Sequence, residues 1–198
     1  DQIRSLDLLR NENGDQVLDL ARLAQREKDF RTASKAYNYI IQKGRNHPLY
    51  HTASLELINS QKSLIFQKSD YNSEDLLKLK DSYLQIINEN LYSYNTARAK
   101  IELADLEAKY LFQIDSAIAR LVQVLEDRDT PRDFLATAKL ELGDYYIMND
   151  QDWESTLLYT QVAKAYKGTP IGEEAKFRNA RLAYFKGDFE WALTQLKV

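Results

Sequence analysis

Apolar residues in this chain return at intervals of three and four, and runs of that pattern alternate with short polar breaks. Val17, Leu20, Ala21 and Ala24 form one run, closed by Lys28-Asp29. Ala33, Ala36, Tyr37, Ile40 and Ile41 form the next, closed by Gly44. Leu76, Leu79, Tyr83, Ile86 and Ile87 continue the spacing further on, with Asn72 or Ser73 as the cap and Glu74 and Asp75 in the first turn, where the helix dipole favours them. The pattern predicts amphipathic helices in pairs. Ahead of them, Ser5 to Arg10 read as the tail of an earlier helix, with Gly14 just past its end and Asp15 capping the next.

The pattern is also self-similar, which decides the fold before any single helix does. AKIELADLEAKYLFQIDSAI, starting at Ala99, returns as AKLELGDYYIMNDQDWESTL from Ala138 and as AKFRNARLAYFKGDFEWAL from Ala175. Two weaker copies begin at Gln16 and Ala53. The five starts are separated by 37, 46, 39 and 37 residues, and the long interval holds an insertion at Gln67–Asp75. Each of the three prolines, Pro48, Pro131 and Pro170, stands five to seven residues before a copy, as expected for Pro at a first helical position, with His47, Thr130 and Thr169 as caps.

Small residues mark one phase of the first helix in a pair (Ala21, Ala104, Gly143, Ala180) and one of the second (Ala33, Ala117, Ala192). With the turn signals Lys28-Asp29-Phe30, Asp152-Trp153 and Gly187-Asp188-Phe189, this arrangement resembles the tetratricopeptide repeat from Asp15 to the end. The resemblance implies an all-α chain, a right-handed superhelical solenoid of about five helix-turn-helix repeats over residues 15–47, 48–94, 95–130, 131–168 and 169–198. Small residues would let paired backbones approach, and Phe30, Trp153 and Phe189 would fill the wedge between pairs. The last repeat is short, with no polar capping helix after it, so continuation past Val198 is expected. The repeat is longer than the family's roughly 34 residues. In that it is similar to bacterial envelope repeat proteins, including the lipoprotein subunit of the outer-membrane barrel-assembly machinery. The comparison points to the periplasm or cell envelope and leaves the cytoplasm open.

Composition narrows the function. Twenty-seven basic against thirty acidic residues leave a net charge of −3, without the basic footprint of a nucleic-acid binder. Six glycines and three prolines are too few for an all-β chain. Cysteine is absent, which removes disulfides and thiolate metal sites. No apolar run nears the ~20 residues of a membrane span. His47 and His51 are four apart, but Pro48 puts His47 outside the helix and no acidic cluster completes a metal site. No phosphate loop or nucleophile elbow is present, and carboxylates such as Glu126, Asp127 and Asp129 stand at a solvated helix end. No cofactor, metal or catalytic residue is expected.

The resemblance implies a non-catalytic scaffold that binds a protein or peptide in the concave groove lined by first helices. By phase, the groove residues are Arg22, Arg26, Asn59, Lys62, Asp105, Lys109, Asp144, Arg181 and Tyr184, with Ile147 and Phe185 beside them. The Lys-Asn clamp by which some family members hold a peptide carboxylate is missing, since Leu18 and Arg22, then Leu55 and Asn59, occupy those positions. Two other readings stay open: an accessory region of a larger enzyme or sensor, and a ligand-binding array. A glycan-binding array would need exposed aromatic residues in its groove, whereas Trp153 and Trp191 read as packing residues. Of the thirteen tyrosines, Tyr37, Tyr83 and Tyr159 fall at the core phase of second helices; Tyr92, Tyr94, Tyr145, Tyr146 and Tyr184 are not placed by phase.

Overall fold

The computed structural model describes residues 2–8, 13–68, 71–89 and 94–196, and among these helices are the only regular secondary structure. It divides into two compact units, residues 1–91 and 92–198. The first holds α1 (Gln2–Leu8), α2 (Asp15–Arg26), α3 (Phe30–Ile41), α4 (Tyr50–Phe66) and α5 (Ser73–Glu89). The second holds α6 (Tyr94–Lys109), α7 (Ile114–Glu126), α8 (Arg132–Met148), α9 (Asp152–Ala165), α10 (Pro170–Phe185) and α11 (Phe189–Leu196). In each unit a helix packs mainly on its neighbours in the chain; in the second, α6 also touches α8 and α8 touches α10.

In the first unit, Val17, Leu18, Ala21 and Ala24 of α2 close on Ala33, Ala36, Tyr37 and Ile40 of α3 and Ala53 of α4. Each large side chain buried this way contributes about 1.5–3 kcal/mol. Asp29 caps α3 by accepting a hydrogen bond from the Thr32 amide (3.1 Å), and Asn72 caps α5 through the Asp75 amide (2.9 Å). All five predicted apolar positions of α5 are buried. The long interval between the second and third motifs comes largely from longer helices, since α4 and α5 have 17 residues each against 12 each in α2 and α3.

A buried carboxylate ties α1 down. Asp7 accepts hydrogen bonds from the Gly14 amide (2.9 Å) and the Tyr39 hydroxyl (3.2 Å), and pairs with Lys43 (2.5 Å). Burial pushes its pKa up, but Lys43, the Gly14 amide and Tyr39 outweigh burial and hold it below the ordinary value. Gly14 is therefore the N-cap of α2 rather than the end of the preceding helix, and Asp15 is the first helical residue rather than the cap. The left-handed backbone at Gly14 (φ 77°) is what turns its amide toward Asp7.

In the second unit, Ala104 and Ala108 of α6, Ala117, Leu121 and Val124 of α7 and Ala138, Leu142 and Tyr145 of α8 make one cluster. Ala136, Leu140, Tyr159, Val162, Ala175 and Leu182 make the next. The predicted small residues are all buried, and Gly143 shows why the position is small: a Cβ there would lie 2.5 Å from the Tyr159 ring. Ser155 occupies the corresponding small position of α9 and donates its hydroxyl proton to the Gly143 carbonyl. Glu107 is fully buried and takes a bidentate pair from Arg120 (2.8 Å twice), which fastens α6 to α7.

Three sequence expectations shift. Thr169 does cap α10 with Pro170 at its first position. Pro131 is instead the N-cap itself, with α8 starting at Arg132, and Thr130 turns its hydroxyl to the Val124 carbonyl. Pro48 lies two residues ahead of α4, where His47 Nδ1 accepts from the Leu49 amide (3.2 Å), so the chain turns once more before the helix begins. The tryptophans change most. A residue in left-handed conformation closes each tight turn two places before its second helix (Lys28, Phe112, Asp150, Gly187) and sets the phase. Phe30 and Phe189 stand two residues beyond it and Trp153 stands three, so Asp152 takes the wedge position and Trp153 swings out to solvent, 76% exposed. Trp191 is 43% exposed, and Phe189, although in phase, is exposed because α11 packs chiefly on α10.

Candidate functional site

The groove residues named from phase fall on the first helices of both units. On α2, Arg22 and Arg26 are exposed; on α4, Asn59 and Lys62 are half-buried. Asn59 serves the fold, accepting the Tyr83 hydroxyl proton at 2.8 Å and donating to Glu56 at 3.4 Å.

The second unit draws its share together. Lys109 pairs with Asp105 (2.5 Å) one turn back on α6 and reaches Glu141 on α8 (3.6 Å). Arg178 on α10 pairs with Asp144 (2.6 Å), Glu174 (2.8 Å) and Glu141 (3.5 Å), and Arg181 stands 3.7 Å from Asp144. Asp144 also accepts the Tyr159 hydroxyl proton at 2.7 Å. Asp144 and Asp105 thus hold cations in place, and the side chains left reaching outward are Lys109, Arg181 and, on the same helix as Arg181, Tyr184 and Phe185. Tyr184 makes edge contacts with Phe185 (5.8 Å) and Phe189 (5.4 Å). Ile147 turns away and packs against the Tyr159 cluster.

Ionisation follows the geometry. Burial works against the charged forms of Lys109 and Arg178, yet Asp105 and Glu141 for the first, and Glu174, Asp144 and Glu141 for the second, raise both pKa values. Burial, then the carboxylates of Asp105, Glu141, Asp144 and Glu102, push the Tyr145 phenol well up, so it stays protonated. Among the described residues its hydroxyl, buried, has no hydrogen-bond partner, and neither has Oε2 of Glu141. Glu141 and Arg178 escaped the sequence reading, and Tyr145 is not placed by it, because phase ranks side chains by direction and cannot tell which groups meet across helices.

A second feature lies where α9, α10 and α11 meet. A cavity of 680 Å³ is walled by Trp153 and Leu157 of α9 and Trp191 of α11, with Asn179, Leu182 and Ala183 of α10 as its floor. Thr156 and Thr160 line it too, and Lys186 and Asp152 form an ion pair at its edge. The sequence signal was present in the turn phase that displaces Trp153, but equating it with Phe30 and Phe189 hid it.

Among the described residues no group of three or more His, Asp or Glu side chains is placed to hold a metal, and no helix is long and apolar enough to cross a membrane. His47 is engaged in the turn before α4, and His51 packs edge-on against Tyr50 (5.2 Å).

Comparison with known proteins bears on the fold. No protein-family model matches the chain, and no curated protein sequence matches it. Among solved structures, BtubC (BKLC) from P. vanneervenii superposes with a TM-score of 0.73 at 18% identity, covering 98% of this chain and 83% of that one. A thermophilic TPR protein of Thermus thermophilus gives 0.69 at 17% identity, over 92% and 87%. MamA gives 0.62 at 16% identity, over 93% and 88%. The fold is that of the tetratricopeptide-repeat proteins, an all-α helical-repeat solenoid.

Proposed function

We propose that this chain is a non-catalytic interaction scaffold that binds a protein or peptide through the face of its first helices. The observation that carries the reading is the row on α6, α8 and α10, where Lys109 and Arg181 are held outward by Asp105 and Asp144, next to exposed Tyr184 and Phe185. Preset charges beside exposed aromatic rings suit a polypeptide, which offers both kinds of group, and aromatic and Arg side chains dominate binding energy at interfaces. Arg22 and Arg26 of α2 and Lys62 of α4 would serve the same purpose in the first unit, with Asn59 reserved for the fold. The carboxylates in the row are already matched by cations, so none is poised as a general acid or base.

The test is quantitative affinity capture with wild-type protein and an Arg181→Ala/Tyr184→Ala variant of unchanged helicity. A partner retained by the wild type should be lost at least tenfold from the variant. Recovery of no protein, together with small ligands that raise the melting temperature, would favour the ligand-binding alternative and remove the scaffold reading.

A further inference from the structure

In the cleft of α9, α10 and α11 the usual polarity of this repeat is inverted. The fifth residue of the repeated motif is Leu20, Leu57, Leu103 and Leu142 in the first four copies, and Asn179 in the fifth. Asn179 is only 1% exposed and lies on the cavity floor, with long hydrogen bonds to Thr160 (3.3 Å) and Gln195 (3.5 Å). The walls invert the other way. Aligned on the first residue of each second helix, Trp153 corresponds to Arg31, Glu74, Asp115 and Glu190, and Trp191 to Thr32, Asp75, Ser116 and Glu154. Leu157, one turn beyond Trp153 and 50% exposed, corresponds to Lys35, Lys78, Ala119 and Thr194. Large apolar groups exposed, and a polar group buried, are the departures that scaffold packing does not ask for. Here they line one cavity whose size falls in the roughly 300–1,000 Å³ range of ligand sites.

We infer that this groove is a second binding site, on α10 but apart from the row of Lys109 and Arg181, and that it takes a peptide segment in which apolar side chains alternate with lysine or arginine. The apolar half of the assignment rests on Trp153, Leu157, Leu182 and Trp191, which form the apolar part of the lining. The basic half rests on charge. The groove is lined by Asp152 and by Asp188, the cap before α11, and the exposed first turns of α9 and α11 beside it add Glu154 and Glu190. Among the described residues the one cation lining the groove, Lys186, is taken by Asp152. A lysine or arginine stem lies across a tryptophan face while its charge meets these carboxylates. Asn179, with Thr156 and Thr160, supplies the polar floor that a peptide main chain bonds.

Trp153 and Trp191 are the only tryptophans in the chain, so tryptophan emission, excited beyond the tyrosine absorption band, reads this groove alone. An end-capped twelve-residue peptide alternating leucine and lysine should shift the emission saturably at concentrations below about 1 mM, the weak end of specific affinity. Versions with glutamate for lysine, or serine for leucine, should bind at least tenfold more weakly. Leu157→Gln, a change at a half-exposed site, should weaken binding at least fivefold with the melting curve unmoved. Asn179→Leu should weaken binding and raise the melting temperature together, a combination that a merely structural asparagine would not give. Arg181→Ala should leave the response intact even if the first-helix face fails its own test. No saturable shift, equal binding of the glutamate peptide, response only to a linear glucan oligosaccharide, unchanged affinity in Leu157→Gln, or loss of the response in Arg181→Ala would each overturn the assignment.

Discussion

At the scale of single residues, the fold depends on a few positions where one atom decides. Gly143 is the clearest. Its neighbour, the Tyr159 ring, is fully buried and tethered through its hydroxyl to Asp144, so it cannot move aside for a Cβ. Alanine would gain up to about 1 kcal/mol in helix propensity, but the overlap with a packed ring costs about 1–3 kcal/mol. Gly143→Ala is therefore expected to lower stability by up to about 2 kcal/mol in urea unfolding. The same scale explains the displaced tryptophan: Trp153 is the second residue of α9, whereas Phe30 and Phe189 are the first of α3 and α11, and that one position moves it from the wedge to the wall of a groove.

Between elements, two buried carboxylates act as fasteners, and each makes a distinct prediction. Arg120→Ala takes the bidentate partner from Glu107, which has no exposed surface, and should cost up to about 5 kcal/mol, measured by chemical denaturation. Asp7 holds α1 to α3 and to the start of α2. Its folded pKa lies below the ordinary 3.8, so its contribution is complete above that pH and is lost as the pH falls through the lower folded value. Asp7→Asn should therefore cost about 2 kcal/mol near neutral pH, with the gap to wild type closing only in strong acid. Neither fastener was legible in the sequence, where Glu107 and Asp7 read as ordinary polar positions on amphipathic helices. A buried charge is intelligible only with its partner, and the partner of Asp7, Lys43, is supplied from beyond the end of another helix.

Across the whole chain, packing within each unit runs between sequence neighbours, as in other helical arrays, and stability in such arrays is a sum of local terms. Gly143→Ala should accordingly raise amide exchange in α7 to α10 and leave α2 and α3 near wild-type protection, read by hydrogen-exchange mass spectrometry. Equal loss of protection in α2 would mean that the chain unfolds as one cooperative body.

The repeat itself was determined by the sequence alone. Helix periodicity, small residues at a fixed phase and glycine or proline at the turns are local constraints, and each copy repeats them, so helices and core tyrosines such as Tyr37, Tyr83 and Tyr159 could be placed without knowing what lay across from them. The binding features could not. Which charges meet on α6, α8 and α10, that Asp144 anchors Arg178, and that Trp153, Trp191 and Asn179 share one cavity are relations between side chains on different helices. Periodicity gives each residue a direction on its own helix. Only the tertiary packing sets the distance to its neighbours, and both the row of charges and the groove are made of such distances.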